Sequence, residues 1–500
     1  MAKENLPKFP LLLLVSLVPL LTYLLTTPID LTVGIFGADS GELITASLTN
    51  GIPHPSGYPT WLLASKVFGW LPVGRTLAHR YNIFSAICTS LGLLILTFAC
   101  RLNLPSKDRF APLAAILAIA FTLTVWSQAV IAEVYALNGL MVSLVIYFLA
   151  KISADGLSLG RVRLLGLASG LAITTHLTSI LLLPAVGTVL VVGHLQRMKF
   201  TNSQRNTENN QMRPMLFASY VAHLVFSFLL GLSPFLLLYW RADSNSPVMW
   251  GDSSTLTGWW RLVSGQIYRP NVFALSFADV IARIQITLLS NAIALIPMLI
   301  PLGALAGIHF RLKNNQQSTF NNQLSIPLLL SAALYTLYAL SYNTTDWRVF
   351  LIPANLCLTL PLASGLARLN LKQWGLALPL LLFALNLPIL LNGRSDNTRQ
   401  QAEAIFAQAP PEAILLTDGR DETIFPLWYF RYAEAIRPDT LIVDQNLFAF
   451  DWYRARLAAQ HPDLKAVTID DLDVFSQQNS LHRPICETSL HPFALSCTDR

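Results

Sequence analysis

Residues 36–61 read FGADSGELITASLTNGIPHPSGYPTW and follow directly on the first hydrophobic run of the chain. Two carboxylates, Asp39 and Glu42, stand three residues apart, and His54 and a Pro-Ser-Gly-Tyr-Pro turn come next. The Asp39/Glu42 spacing fits a capping box, which would start a helix over ELITASLTN. It equally fits a reactive carboxylate, because the positive end of a helix dipole favours the ionised form. An ionised, partly desolvated aspartate is what a general base for a hydroxyl requires. Pro fixes φ and Gly allows the reverse bend, so the turn holds His54 and Tyr58 in place whatever their task.

The sequence around this stretch sets the fold class. The chain has 500 residues, 53% hydrophobic and 12% charged, about half the charge of a soluble domain. Residues 10–393 are apolar runs joined by short polar bridges, while 394–500 read like a soluble sequence. A membrane helix needs about 20 mostly apolar residues. That length predicts spans at 9–27, 82–100, 110–126, 130–150, 163–177, 178–194, 215–240, 284–308, 324–341, 348–367 and 374–391. The expected fold is mainly α: a polytopic bundle of about eleven transmembrane helices over 1–393, with a small α/β domain over 394–500. The first run lacks a small-x-small cleavage site and reads as an uncleaved first helix.

Net charge is +6, which raises the question of nucleic acid. The Lys and Arg gather in particular inter-run loops, at 101–109, 161–163, 197–213 and 311–313. That is the positive-inside pattern of a membrane protein, not a nucleic-acid patch. It puts the N-terminus in the cytoplasm and loops 28–81, 241–283 and 342–347, with the tail, outside. The expected location is the plasma (inner) membrane, the bilayer being the first partner.

The unusual polar residues then map to one side. Asp39 and Glu42 are joined by His54 and Tyr58, by Trp126, Gln128, Glu133 and Tyr135 in WSQAVIAEVY, and by His176 in TTHLT. Trp250, Asp252 and Tyr268 lie in the next outer loop, and Asp346 and Arg348 in DWRVF. Ionisable groups at a membrane boundary are costly unless paired or wet, so their gathering on one face marks a functional site. Each has a plainer alternative. His54 can be a surface turn residue, Glu133 the partner of a loop arginine, and His176 a satisfied helix-end histidine. Asp346 and Arg348 can pair with each other. Trp126, Trp250, Trp259 and Trp260 fit an interfacial aromatic belt, most simply for the last two.

In the tail, AILLTDG and DTLIVDQ read as short strands ending at Asp, with a helix over ETIFPLWYFRYAEAI between them. Cys486 and Cys497 are near enough in sequence to bridge if the tail is outside, two free thiols being the alternative. There is no HExxH, no Cys/His metal spacing, no P-loop and no Rossmann glycine fingerprint. Metal ligands and a nucleotide are therefore not expected. A catalyst on the outer face without nucleotide needs a donor already in the membrane, and a polyprenyl-phosphate-linked sugar meets that need.

The block from Gly37 through HPSGYPTW to YNIFSA resembles the opening loop of the transmembrane protein 260 family. This is a GT-C-like group of protein O-mannosyltransferases with bacterial relatives. WSQAVIAEVYALN, THLTSILLLP, MWGDSSTLTGWWRLVSGQIY, DWRVFLIPA, LLTDGRDETIFPLWYF and RPDTLIVDQNL resemble further blocks in the same order. The resemblance implies a GT-C bundle whose first outer loop carries the acidic catalytic residue. That residue would be Asp39, with Glu42 the next candidate. It implies inverting transfer of a sugar such as mannose to a hydroxyl of a protein or glycan acceptor. Arg348, or Arg269 or Arg241, would offset the phosphate charge. His54, Tyr58, Glu133, Tyr135, His176, Tyr268 and Asp346 would bind sugar or acceptor, and Trp250 would stack on a sugar face. The competing reading is a transporter or flippase of lipid-linked glycan. Such a protein carries polar groups at mid-membrane and often paired repeats. Here the polar groups sit at helix ends and no repeat is visible, which favours the enzyme.

Overall fold

In lipid, every backbone N–H and C=O must be satisfied within the chain, so long apolar runs become helices. The computed structural model describes residues 9–104, 109–203, 212–285, 322–394 and 397–498. Among them, seven helices are long and apolar enough to cross a membrane, or eight if one bent pair is a single span. The chain is a multi-pass membrane protein. The expected span 284–308 lies outside the described residues except at 284 and 285.

The first helix, α1 (Phe9–Thr26), ends where expected. The outer stretch 28–81 holds two short helices: α2 (Ser40–Thr49), where a helix over ELITASLTN is expected, and α3 (Pro59–Trp70), where only a turn and loop are expected. Pro59 starts α3 because a first-turn N–H has no intrahelical partner to lose. The next helix, α4 (Leu77–Asn103), begins before the purely apolar run, since the Thr76 side chain accepts from His79 N.

The expected span 110–126 is broken. Helix α5 (Phe110–Ala120) and α6 (Leu123–Ala129) meet at 67°, with the Thr122 hydroxyl donating back to Ile119 O at 2.8 Å. Trp126 is consequently a core residue, not a member of the outer face or an aromatic belt. Its indole N–H donates to Thr26 Oγ1 at 3.0 Å and its ring stacks on Phe383. Helices α7 (Val134–Asp155) and α8 (Leu159–Thr175) follow, and His176 marks the break before a 3-10 turn at Leu177–Leu182.

The C-terminal residues build a four-stranded sheet in the order β2-β1-β3-β4. Strands β1 (Ile414–Thr417) and β2 (Leu441–Asp444) are parallel and fully buried, as a sheet covered on both faces requires. They are the two strands read from the sequence. Strand β3 (Ile485–Ser489) pairs parallel to β1, and β4 (Ala494–Cys497) antiparallel to β3. Cys486 and Cys497 are directly opposite in that hairpin and form a disulfide.

This module is docked on the bundle at several points. Arg399 donates to Asp30 Oδ1 at 2.8 Å and to Glu434 Oε1 at 2.7 Å. The Tyr429 hydroxyl donates to Glu434 and accepts from the backbone N–H of Ala78. On the other side, Arg456 donates to the Ser244 and Ala242 carbonyls, both at 2.9 Å. Helix α2 lies directly against the Asp421–Trp428 helix. A Cβ on Gly41 would sit 2.3 Å from Phe425 O, so only glycine allows this approach.

Candidate active site

Where α2 meets the C-terminal module, a cavity of about 550 Å³ opens, within the range of small-ligand sites. The 33–58 stretch, Tyr135, the break at His176–Leu181, Trp250, residues 264–272, residues 338–350 and the start of the Asp421–Trp428 helix line it. Chain segments separated by hundreds of residues thus share one hollow.

Asp39 is the N-cap residue of α2, yet its side chain makes no capping hydrogen bond. The capping box suggested by its spacing to Glu42 is not formed, because Glu42 has another partner. Its Oε1 accepts from the backbone N–H of His54 at 3.1 Å, and its Oε2 lies 2.5 Å from His54 Nδ1. Glu42 is fully buried. The other ring nitrogen, Nε2, is 2.8 Å from the Tyr58 hydroxyl and 3.6 Å from Asp39 Oδ2. His54 is therefore not a surface turn residue.

Electrostatics follow from this packing. For Asp39, burial raises the pKa most, His54 lowers it, and Asp346, Glu42 and Glu422 raise it, with the result about 6. For His54, burial lowers the pKa, but the Glu42 and Asp39 carboxylates more than offset it and hold the value at about 9. Near neutral pH the site holds an imidazolium clamped to Glu42 and an ionised Asp39 whose side chain is 28% exposed. Asp421, missed in the sequence, lines the same cavity with Glu422. Burial, then the Asp39 carboxylate, push its pKa up to about 8 against the opposing effect of His54.

Tyr58, Tyr135, His176, Trp250, Tyr268 and Asp346 all line the cavity. Tyr58 stacks on His176, and Tyr135 packs against it. His176 Nδ1 is 2.8 Å from the Thr178 hydroxyl. Asp346 accepts a hydrogen bond from the Thr344 hydroxyl. The Trp250 ring packs against Trp452, with centroids 5.9 Å apart, while its indole N–H is buried and has no partner among the described residues. The Ser56 hydroxyl on the same wall is likewise buried and unpartnered.

Four readings need correction. Arg348 is not on the cavity wall; its guanidinium lies over the Trp347 ring, 5.6 Å from the centroid, and it does not pair with Asp346. Arg241 is spent on the Gly51 carbonyl at 3.0 Å. Of the three arginines considered, Arg269 alone borders the cavity. Glu133 is 2% exposed and off the wall, and both its carboxylate oxygens lack a partner among the described residues, so it does not pair with a loop arginine. Gln128 donates to Ile35 O and is also off this wall. Among the described residues, no three His, Cys, Asp or Glu side chains are grouped to hold a metal ion.

Comparison with known proteins follows the same layout. The family model for the Protein O-mannosyl-transferase TMEM260 N-terminal domain matches residues 39–199, and that for TMEM260-associated domain 2 matches residues 398–478. The chain is 25% identical over 477 residues to mouse Protein O-mannosyl-transferase TMEM260, covering 85% of this chain and 62% of the mouse protein. It is 22% identical over 246 residues to the Dictyostelium discoideum protein of that name, covering 45% of this chain and 27% of that one. The chain thus spans less than two thirds of the length of these relatives. In three dimensions it is similar to ArnT from Cupriavidus metallidurans bound to undecaprenyl phosphate (TM-score 0.59, 16% identity, 97% of this chain and 94% of ArnT). It is also similar to the Archaeoglobus fulgidus oligosaccharyltransferase in complex with zinc and sulfate (TM-score 0.51, 10% identity, 95% and 68%). The fold is GT-C. Two TMEM260 family models match in order and an alignment to a TMEM260 protein runs through most of the sequence, so the chain is similar to the TMEM260 family along most of its length.

Proposed function

We propose that this protein is a membrane glycosyltransferase. It moves a sugar from a polyprenyl-phosphate carrier to an acceptor hydroxyl, with Asp39 as general base. The observation that carries the reading is Asp39 itself: an ionised carboxylate, unused as a cap, facing a cavity beside a charged His54. Mannose as the sugar and a protein hydroxyl as the acceptor are taken from the name of the mouse relative. The undecaprenyl phosphate bound by ArnT supports the class of carrier. The division at 393/394 into a membrane domain and a soluble domain is part of the same reading.

The chemistry is one displacement. Asp39 takes the proton of the acceptor hydroxyl as its oxygen attacks the anomeric carbon from the face opposite the phosphate. The bond from that carbon to the phosphate oxygen breaks, and the lipid phosphate leaves with the electron pair. The sugar is inverted and the proton rests on Asp39. Arg269 offsets the charge gathering on the phosphate, a role that Arg348 is too remote to take. Glu42 is a positioning residue, since it acts through His54. Trp250 offers its indole N–H to the substrate in place of a stacking face, with the Ser56 hydroxyl beside it.

We place the cavity and the C-terminal module on the extracytoplasmic side, following the loop charges. The Cys486–Cys497 bridge supports this, because disulfides persist in oxidising compartments. The test is transfer of mannose from undecaprenyl-phosphate mannose to a hydroxyl peptide by the purified protein in nanodiscs. The wild type should transfer and Asp39→Asn should not; equal rates in both would overturn the assignment.

A further inference from the structure

The loop after β1 is fixed with unusual care for a surface turn. Thr417 donates its hydroxyl to Asp444 Oδ2 at the end of β2. Gln445 donates to Asp418 O at 2.7 Å, and Asn446 donates to Gly419 O at 2.6 Å. Gly419 has φ +74°, and Asn446 packs where its Cβ would be. Arg420 joins Asp418 and the Ser489 hydroxyl on β3. The C-terminal ends of parallel strands are where α/β sheets bind ligands. Here they present the next residue, Asp421, to the cavity that contains Asp39.

Asp418 and Arg420 are consumed by one another, but no hydrogen bond or ion pair engages the Asp421 carboxyl among the described residues. The charged groups around it are Asp39 and Glu42 at α2, His54 in the following turn and Glu422 on its own helix. Asp346 and Arg269 border the same cavity. The buried, unpartnered Ser56 hydroxyl and Trp250 N–H on this wall independently mark a place where a polar ligand sits.

We infer that Asp421 is a further residue of the reaction site, a carboxyl handed in by the C-terminal sheet to hydrogen-bond a substrate hydroxyl. The inference rests on the transferase reading. Asp421 is exposed at the mouth of the hollow and faces the Asp39 carboxylate, and two neighbouring carboxyls do not both ionise readily. Asp421 holds its proton while Asp39 is charged, so it donates to the hydroxyl as Asp39 accepts from another.

The experiment compares wild type, Asp39→Asn, Asp421→Asn and Asp421→Ala in nanodiscs, with undecaprenyl-phosphate mannose as donor and a hydroxyl peptide as acceptor, from pH 5 to 10. Asp421→Ala should lower kcat/KM by roughly ten- to a hundredfold. A rise in KM for the donor assigns the contacted hydroxyl to the sugar, and a rise for the peptide assigns it to the acceptor. Asp421→Asn, still a neutral donor, should restore most of the rate. It should also move the descending limb of the pH profile from about 8 towards the about 9 set by His54. An Asp421→Ala enzyme equal to wild type, or an Asn variant with an unmoved limb, overturns the inference while leaving the Asp39 result standing. Asp39→Asn activity equal to wild type instead overturns the transferase reading itself.

A second arm needs no turnover. A charged methanethiosulfonate reagent should label Asp421→Cys more slowly when undecaprenyl phosphate is present, while exposed Asp451→Cys is unaffected. Equal labelling with and without the lipid also counts against a place for Asp421 in the site.

Discussion

Glu42 receives both the backbone N–H and the Nδ1 of a single residue, His54. One fully buried carboxylate thereby fixes the orientation of the imidazole and keeps it charged. The arrangement makes His54 a fixed positive neighbour of Asp39, 3.6 Å away, and explains how a carboxylate in a partly buried hollow stays ionised near neutral pH.

Removing the base is the most direct consequence. Asp39→Asn should lower kcat by about 10² to 10⁴, the usual worth of a positioned general base. The wild-type rate should climb as pH rises through about 6, where Asp39 loses its proton. A pH series of initial rates checks both.

The clamp itself should report in stability. The folded-state pKa of His54 is raised from 6.5 to about 9. Its contribution is therefore full below 6.5 and lost as pH rises through 9, a span worth roughly 3 kcal/mol. The thermal midpoint in detergent should fall across that window. Glu42→Gln should lower it at pH 6.5 and flatten the fall.

Phosphate binding separates two arginines. Arg269→Ala should raise the KM for the lipid-linked donor by about ten- to a hundredfold, and Arg269→Lys by less, because a guanidinium grips phosphate with two parallel bonds. Arg348→Ala should leave that KM unchanged, since its side chain rests on Trp347. Donor titrations of the three variants give the comparison.

Docking of the module should be as necessary as the carboxylates. Gly41→Ala puts a methyl 2.3 Å from Phe425 O, which only displacement of backbone relieves. Activity should drop severalfold or more while the bundle remains folded. Tryptic cleavage in the C-terminal module, faster than in wild type, would register the loosening.

Much of this was legible in the sequence because lipid leaves the chain few options. Run length marks most spans, and the alternating loop charges bring Asp39, His54, Tyr58, His176 and Asp346 to one face. What escaped depended on tertiary contacts. The bend between Ala120 and Leu123 is carried by a threonine hydroxyl turned back on a carbonyl and by Trp126 reaching Thr26, neither of which disturbs hydropathy. The Asp39/Glu42 spacing signalled a cap, but His54 competed for Glu42 and won. Arg348 and Arg269 look alike in composition, and only the fold aims one at the cavity. Asp421 was hidden because a strand, a glycine turn and an acidic first helical turn are ordinary α/β punctuation. Its only sequence signal was the position at the end of a parallel strand. Strands β3 and β4 are short and mixed in polarity, so their pairing shows only once the cysteines are opposite one another.

The contact between Gly41 and Phe425 joins points 384 residues apart in the chain. A ribosome therefore finishes nearly the whole polypeptide before the last wall of the hollow exists. During synthesis the nascent bundle carries its aspartate with no enclosure around it. The hollow is complete only after the tail has folded back on the bundle, so every truncated chain lacks its last wall.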